Sequence, residues 1–233
     1  MSAAHSPIRF FVDFDGTITK TDVIDRILET FADPSWKKIE AEWAAGEIGS
    51  RECLSRQMNL VRATPEAFDR LVDAIEVDDH FVDFLKKAAE LEVPVTIVSD
   101  GIGQVINLVL RRVLAAAPDL LRGTPVFANS IRWDESGPRL VFAGDMCAHG
   151  CGNCKERVIR AHSEPGDHIA FVGDGLSDRF GARVSSLTFA KGRLADFCET
   201  NDIPYQRYSD FSEIEKWLIH KRGQECVTPK KNF

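Results

Sequence analysis

Residues 13–19 read Asp13-Phe14-Asp15-Gly16-Thr17-Ile18-Thr19 and directly follow an apolar run, Ile8-Arg9-Phe10-Phe11-Val12. The run predicts a buried strand. Because side chains alternate along a strand, the two aspartates at its end point the same way, and Gly16 lets the chain turn sharply away. Like charges are costly to bury side by side unless a cation or a reacting proton lies between them. The aspartate pair therefore indicates chemistry.

Three later segments also place polar residues where a strand ends or a helix begins. Val95-Thr96-Ile97-Val98 leads into Ser99-Asp100-Gly101, which we expect at a helix N-terminus, where free amides attract an anion. Lys155 begins a helical run that ends at His162. A third apolar run, residues 169–172, leads into Gly173-Asp174-Gly175, with another acid at Asp178. Taken singly, these are also a helix cap, a solvated lysine and a turn.

Together and in this order, the four segments resemble the motifs of the haloacid dehalogenase (HAD) superfamily, most of whose members are phosphatases. The resemblance implies that Asp13 is the nucleophile and forms an aspartyl-phosphate. It implies that Asp15 protonates the leaving group and then activates water. Lys155 would neutralise the nucleophile and the transferring phosphoryl group.

The resemblance also implies where phosphate and metal bind. Ser99, Lys155 and the amides of Asp100 and Gly101 would hold the phosphate oxygens. Mg²⁺, a hard cation that prefers oxygen ligands, would be bound by residues of the first and fourth motifs. The ligands would be Asp13, the Asp15 carbonyl and Asp174, with Asp178 behind them.

Strand-like runs alternate with helical patterns along most of the chain, which predicts an α/β fold. We expect a Rossmann-like parallel sheet with helices on both faces and the site at the carboxyl ends of the strands. A segment from Ser130 to Ala143 predicts a surface β-hairpin around Glu135-Ser136-Gly137-Pro138. The predicted strands are Ile8–Val12, Val93–Val98, Pro125–Ala128, His168–Val172 and Ser186–Ala190.

A long helical stretch separates the first two predicted strands. Its position matches the small helical cap of the phosphoserine-phosphatase-like branch of the superfamily, in which caps cover the site and select the substrate. We therefore expect a cap domain at residues 21–77 and a core domain at residues 1–20 and 78–233. A helical elaboration with no role at the site is the alternative. The predicted helices are Asp22–Phe31, Pro34–Ala45, Ser50–Val61 and Pro65–Ala74.

Two positions in this stretch bear on the substrate. Asp22 lies where phosphoserine phosphatases place an acid that faces the substrate amine, although it is equally suited to stabilise a helix N-terminus. Gln57 lies near the position of their carboxylate-binding arginine, and a neutral amide cannot replace a guanidinium there. A shift of one residue in this alignment puts Arg56 in that role, so Arg56 is a candidate substrate ligand.

A cysteine-rich segment, Cys147-Ala148-His149-Gly150-Cys151-Gly152-Asn153-Cys154, directly precedes Lys155. Cys147, His149, Cys151 and Cys154 could bind Zn²⁺, while free thiols or a reversible disulfide remain open. The segment is similar to one in the methylthiopentenyl-phosphate phosphatases of methionine salvage and to one in phosphocholine/phosphoethanolamine phosphatases. Pro34-Ser35-Trp36 also resembles the methionine-salvage enzymes.

Composition narrows the function classes. A net charge of −7 over 233 residues gives no electrostatic footprint for nucleic acid or an anionic membrane. No apolar run approaches a membrane span, and the first residues lack the apolar region of a secretory signal, so we expect a cytoplasmic protein. The sequence does not indicate an oligomeric state.

We therefore expect a magnesium-dependent phosphatase that acts on a small phosphorylated metabolite. The first candidate is a methylthiopentenyl-type enol phosphate, and the second is an amino-alcohol phosphate such as phosphoethanolamine, phosphocholine or phosphoserine. A phosphotransferase on the same scaffold is the alternative enzyme class, and a non-catalytic binding module is the third possibility.

Overall fold

The computed structural model describes residues 7–135 and 137–226. Their strands form one seven-stranded sheet in the order β4-β3-β2-β1-β5-β6-β7. The pairs from β3 across to β7 are all parallel, and the edge strand β4 pairs antiparallel with β3. The strands are β1 (Ile8–Val12), β2 (Val95–Ile102), β3 (Val126–Asp134), β4 (Gly137–Val141), β5 (His168–Gly173), β6 (Leu187–Ala190) and β7 (Tyr205–Arg207).

Eleven α-helices are described in the same ranges, and none of them is long and apolar enough to cross a membrane. The helices are α1 (Val23–Phe31), α2 (Trp36–Ala44), α3 (Ser50–Met58), α4 (Pro65–Asp73), α5 (Phe81–Glu90), α6 (Gly103–Val113), α7 (Pro118–Gly123), α8 (Lys155–Ala161), α9 (Arg179–Arg183), α10 (Gly192–Thr200) and α11 (Phe211–Cys226).

Helices cover both faces of the central strand β1. Successive side chains of the strand point to opposite faces of the sheet and therefore pack against different helices. Phe10 packs edge-on against Phe84 of α5 and Trp217 of α11. Phe11 lies in a second buried cluster with Ile159 of α8 and Leu194 of α10. Each fully buried phenylalanine contributes about 1.5–3 kcal/mol by leaving water. The predicted α/β sheet with helices on both faces is confirmed.

Two features of the sheet differ from the prediction. The predicted hairpin is present, but its first strand is the second half of β3 and not a separate strand. Because β4 pairs antiparallel with this part of β3, the sheet is mixed rather than parallel throughout. Ser136, in the predicted turn, lies outside the described residues. Strand β7 was not predicted; its three residues are too few for an alternating pattern.

Helices α1–α4 occupy the insertion between β1 and β2. Its two ends meet in an antiparallel bridge between Thr19 and Val77. Phe68 of α4 packs edge-on against Trp133 of β3, so the insertion shares its apolar core with the sheet. Whether residues 21–77 form a separate cap domain stays a prediction.

Candidate active site

The acids of the first and fourth motifs meet at the carboxyl ends of β1 and β5. Asp13 follows the last residue of β1, and its N–H donates to the carbonyl of Val172 at 2.9 Å. Asp174 follows the last residue of β5 directly. Carboxylate oxygens of Asp13, Asp174 and Asp178 lie within 4.8 Å of one another. Parallel pairing of β1 with β5 therefore places the predicted acids together.

Lys155 is the cation at the centre of this cluster. Its Nζ lies 2.7 Å from Asp13 Oδ1 and 2.5 Å from Asp178 Oδ1, and its side chain is 1% exposed. Burial alone would lower the pKa of Lys155, but the two carboxylates outweigh it and raise that pKa well above its usual value. The lysine is therefore charged and holds Asp13 in place.

Asp178 also positions the loop after β5. Its second carboxylate oxygen, Oδ2, accepts the backbone N–H groups of Asp174 at 3.0 Å and Gly175 at 2.9 Å. Asp174 Oδ1 in turn accepts the hydroxyl of Thr17 at 2.7 Å. Gly16 has a φ of +72°, and a Cβ there would lie 2.6 Å from Asp174 Oδ2. The turn after Asp15 therefore requires glycine for its conformation and for space.

Asp15 is held by the second motif. The Ser99 hydroxyl donates to Asp15 Oδ2 at 3.0 Å and accepts the Gly101 N–H at 2.8 Å. A side chain at Gly101 would collide with the same Asp15 oxygen. Thus Ser99 and Gly101 fix the carboxylate that the resemblance assigns to acid–base chemistry.

The expectation that Ser99-Asp100-Gly101 lies at a helix N-terminus is wrong. These residues belong to β2, and α6 begins two residues later, at Gly103. Pairing of β2 with β3 is interrupted between Val98 and Ile102, so the segment departs from the regular ladder. The segment turns toward the site through a strand irregularity instead of a helix cap.

The cluster contains more carboxylates than cations, and the pKa values of its carboxyl groups are raised. Burial, and next the nearby Asp22, raise the pKa of Asp15 to about 7. Burial, and next Asp178, raise the pKa of Asp174 to about 6. Burial also raises the pKa of Asp13 well above its usual value, despite the opposing effect of Lys155. A bound cation would relieve this repulsion.

The donor set fits a hard divalent cation such as Mg²⁺. It consists of carboxylate oxygens on Asp13, Asp174 and Asp178, which Mg²⁺ prefers to nitrogen or sulfur. The Asp15 carbonyl remains a predicted ligand.

A cavity of about 340 Å³ lies over these acids and is bordered by both the core and the insertion. From the core, Asp13, Asp15, Asp100, Gly101 and Asp174 line it. The insertion contributes Asp22, Asp25, Glu40, Trp43, Cys53 and Gln57. The insertion therefore borders the space above the acids, as the cap hypothesis requires.

A sequence model of haloacid dehalogenase-like hydrolases matches residues 10–183, which include all four motifs. The chain belongs to this family.

Relatives of this HAD hydrolase are phosphatases by name. It is 28% identical over 225 residues to the 2-hydroxy-3-keto-5-methylthiopentenyl-1-phosphate phosphatase of Brevibacillus brevis, covering 93% of this chain and 97% of that one. It is 27% identical over 221 residues to the protein of the same name from Bacillus cereus, covering 93% and 98%. Family and relatives together make it an HAD-family phosphatase.

Its fold is similar to that of a substrate-bound phosphoserine phosphatase. The TM-score is 0.67 at 17% identity, with 91% of this chain and 98% of that chain covered. At this identity the similarity establishes the fold.

Asp22 of the HAD phosphatase lies at the N-terminus of α1 and at the cavity. Its side chain accepts the Asp25 N–H at 3.0 Å as the N-cap of α1, and it also borders the cavity. Burial of its carboxyl group by the surrounding protein, and next the nearby Asp25, raise the pKa of Asp22 to about 7.

Arg56 does not reach the cavity, so its assignment as a substrate ligand is corrected. Its guanidinium pairs with Glu42 and Glu52 on the outer side of α2 and α3. The next residue, Gln57, lines the cavity, is 2% exposed and donates to Glu40 Oε2 at 3.0 Å. A step of one residue turns a side chain by about 100° around a helix, which separates the two positions.

The lining residues that were not predicted include Glu40, Trp43 and Arg193. Glu40 and Trp43 lie one turn apart on α2. Arg193, at the start of α10, places its guanidinium 5.6 Å from the Trp43 ring centre. The spacing of three residues between Glu40 and Trp43 places both on one face of a predicted helix, which could have indicated a shared surface. Nothing in the sequence connects Arg193 to the site.

Proposed function

We propose that this phosphatase is a Mg²⁺-dependent phosphomonoester hydrolase that acts through a phosphorylated Asp13. One observation carries the proposal: Asp13 lies at a cavity, paired with a buried lysine and next to a second acid, Asp15, whose pKa is about 7.

In the first step, an Asp13 oxygen attacks phosphorus and the bond to the ester oxygen breaks. Lys155 opposes protonation of Asp13 and balances charge on the phosphoryl oxygens. Protonated Asp15 gives its proton to the departing alkoxide, so the alcohol leaves neutral.

In the second step, Asp15 acts as a base. It takes a proton from water, which attacks phosphorus and releases phosphate and free Asp13. A pKa of about 7 suits a group that must both donate and accept a proton near neutral pH. Ser99 holds the Asp15 carboxylate for both steps.

Asp13, Asp174 and the Asp15 carbonyl would bind the Mg²⁺ ion, with Asp178 supporting them. Bound there, the ion supplies positive charge that allows an anionic nucleophile to approach a phosphate dianion.

We propose a methylthiopentenyl-type enol phosphate as the substrate. Full-length relatives named for this substrate support it, at 26–28% identity. We also propose that the protein acts in the cytoplasm, where a small phosphorylated metabolite would be available to it.

A second candidate substrate is an amine-bearing phosphate ester. Asp22, Asp25 and Glu40 border the cavity and would favour a cation, and Trp43 offers an aromatic face. Phosphoserine is the least favoured of these esters, because Arg56 is directed away from the cavity and Gln57 cannot pair with a carboxylate as a guanidinium does.

The test is phosphate release from a panel of small phosphomonoesters, with Mg²⁺ and with chelator, using wild type and Asp13→Asn. We expect turnover that needs Mg²⁺ and is lost in the variant, with the enol phosphate ranked first. Preference for phosphoethanolamine or phosphocholine would replace the substrate assignment and leave the mechanism intact.

Added alcohol tests the alternative enzyme class. We expect phosphate to remain the main product in the presence of a short alcohol. A new phosphate ester as the main product would make the protein a phosphotransferase. Binding of the esters by folded protein without any turnover would contradict both enzyme classes.

A further inference from the structure

The cysteine-rich loop before Lys155 brings three soft donor groups together and places a fourth thiol, that of Cys154, beside them. Ligand atoms of Cys147, His149 and Cys151 lie within 4.8 Å of one another. The Cys154 thiol interacts with the thiols of Cys147 and Cys151. The loop lies outside the cavity described above, and the proposed phosphatase mechanism does not use these side chains.

The backbone of the loop holds these donors in position. Gly150 has a φ of +62° and its N–H donates to the Cys147 carbonyl at 3.0 Å, which closes a tight turn. The Cys151 N–H points at Cys147 Sγ, 3.4 Å away. The His149 ring stacks on Phe180 with 3.9 Å between ring centres. The Cys147 thiol and the His149 imidazole are therefore oriented by partners outside their own side chains.

We propose that Cys147, His149, Cys151 and Cys154 bind one Zn²⁺ ion. Three sulfur donors and one imidazole nitrogen form a Cys₃His set, which Zn²⁺ binds in tetrahedral sites. A disulfide would use two of the thiols and give His149 no function. The sequence leaves zinc, free thiols and a disulfide open, and convergence of Cys147, His149 and Cys151, with the Cys154 thiol adjacent, favours the ion.

The surroundings suit the charge of such a site. Zn²⁺ with three thiolates carries a net charge of −1. The Arg179 guanidinium lies over the Phe180 ring, 4.6 Å from its centre, and interacts electrostatically with Cys151. An adjacent cation therefore balances the site.

The ion would act as a structural element that joins the insertion to the catalytic centre. Cys154 is the N-cap of α8, and the next residue is Lys155. Asn153 donates its N–H to Asp100 Oδ1 at 3.1 Å and its side-chain amide to the Ser99 carbonyl at 3.1 Å. On the other side, the Gly150 carbonyl accepts the Arg51 N–H of α3 at 2.9 Å.

The test measures metal directly, so its outcome does not depend on the proposed phosphatase activity. Reduced protein is incubated with Zn²⁺, freed of loosely bound metal by gel filtration, and measured by elemental analysis. We expect about one Zn²⁺ per chain in wild type and in Cys198→Ser, which removes a buried thiol elsewhere. Cys151→Ser should lose the ion.

Cobalt separates this site from the carboxylate cluster. Co²⁺-loaded wild type should show a thiolate-to-cobalt charge-transfer band, which Asp174→Asn retains and Cys151→Ser lacks. If Cys151→Ser fails to fold by circular dichroism, His149→Ala serves, since that side chain is exposed; its Zn²⁺ affinity should fall roughly tenfold or more. No thiolate band in wild type, or a Cys147–Cys151 disulfide in protein isolated under reducing conditions, would overturn the proposal.

Discussion

Lys155 is buried between Asp13 and Asp178, and its Nζ contacts both carboxylates. A charge in this position is stable only while its partners are present, since desolvation opposes it. The same lysine lies one residue from the cysteine-rich loop and within reach of the Ser177 hydroxyl at 3.4 Å. We therefore expect Lys155 to contribute both to the stability of the fold and to the reaction at Asp13.

Replacing the lysine should affect both. In Lys155→Met, Asp13 and Asp178 lose their buried cation, so the free energy of unfolding at pH 7.5 without metal should fall by about 3–5 kcal/mol. Urea denaturation followed by circular dichroism measures this, with the exposed Lys86→Met as control. A loss no larger than that of the control would show that the pair contributes nothing to stability.

Asp15 should be the acid–base group. In Asp15→Asn the leaving alkoxide receives no proton from this position, so kcat should fall by about 10²–10⁴-fold. Steady-state phosphate release measures it, and Asp119→Asn, at a side chain that is 88% exposed, is the control. Activity within twofold of wild type would remove Asp15 from the mechanism.

At the level of elements, the end of β2 matters because it holds Asp15 in place. The strand departs from its pairing with β3 between Val98 and Ile102, which leaves Ser99 and Gly101 to contact the acid. Helix α3 contributes from the other side, since its N-terminal backbone contacts the Gly150 carbonyl.

A methyl group at the end of β2 tests this arrangement. In Gly101→Ala the new Cβ would collide with Asp15 Oδ2, and a displacement of about 1 Å can lower kcat by roughly 10²-fold. The matched control is Gly123→Ala at the end of α7, where a Cβ would meet nothing within 4 Å. Equal kcat values for the two variants would contradict the account of β2.

Much of this organisation follows from sequence pattern. The apolar run Ile8–Val12 predicts a strand with the observed bounds, whereas the other predicted strands differ from the observed ones by one or more residues. The acids after β1 and β5 predict a shared site because parallel strands end at one edge. The irregular end of β2 was missed because Ser-Asp-Gly is equally good as a helix cap. Which of Arg56 and Gln57 faces the cavity depends on the rotation of α3, which packing decides.

The molecule as a whole carries a net charge of −7. Some of its acidic residues lie at the cavity, where the pKa values of Asp15 and Asp174 are raised. A raised carboxyl pKa means that the folded chain retains protons that the unfolded chain has released. Stability without metal therefore falls as the pH rises from about 4 to about 7.

Mg²⁺ should reverse this loss. At pH 7.5 and a concentration of 100 Kd, binding adds about 2.7 kcal/mol, which corresponds to a rise in Tm of roughly 5–10 °C for a chain of this size. At pH 5 the shift should be smaller, because protonated carboxyls bind the ion weakly. Thermal unfolding with Mg²⁺ or chelator measures this, and Asp174→Asn should abolish the shift. The same shift in that variant would place the ion elsewhere.

The central claim is that Asp13 carries the phosphoryl group, and trapping tests it most directly. Enzyme turning over substrate with Mg²⁺ is quenched in acid, reduced with borohydride and digested, and its peptides are examined by mass spectrometry. Reduction converts an aspartyl-phosphate to homoserine, so the account predicts homoserine at position 13 in wild type and none in Asp13→Asn. Phosphate release by Asp13→Asn at the wild-type rate, or homoserine at another aspartate, would contradict it.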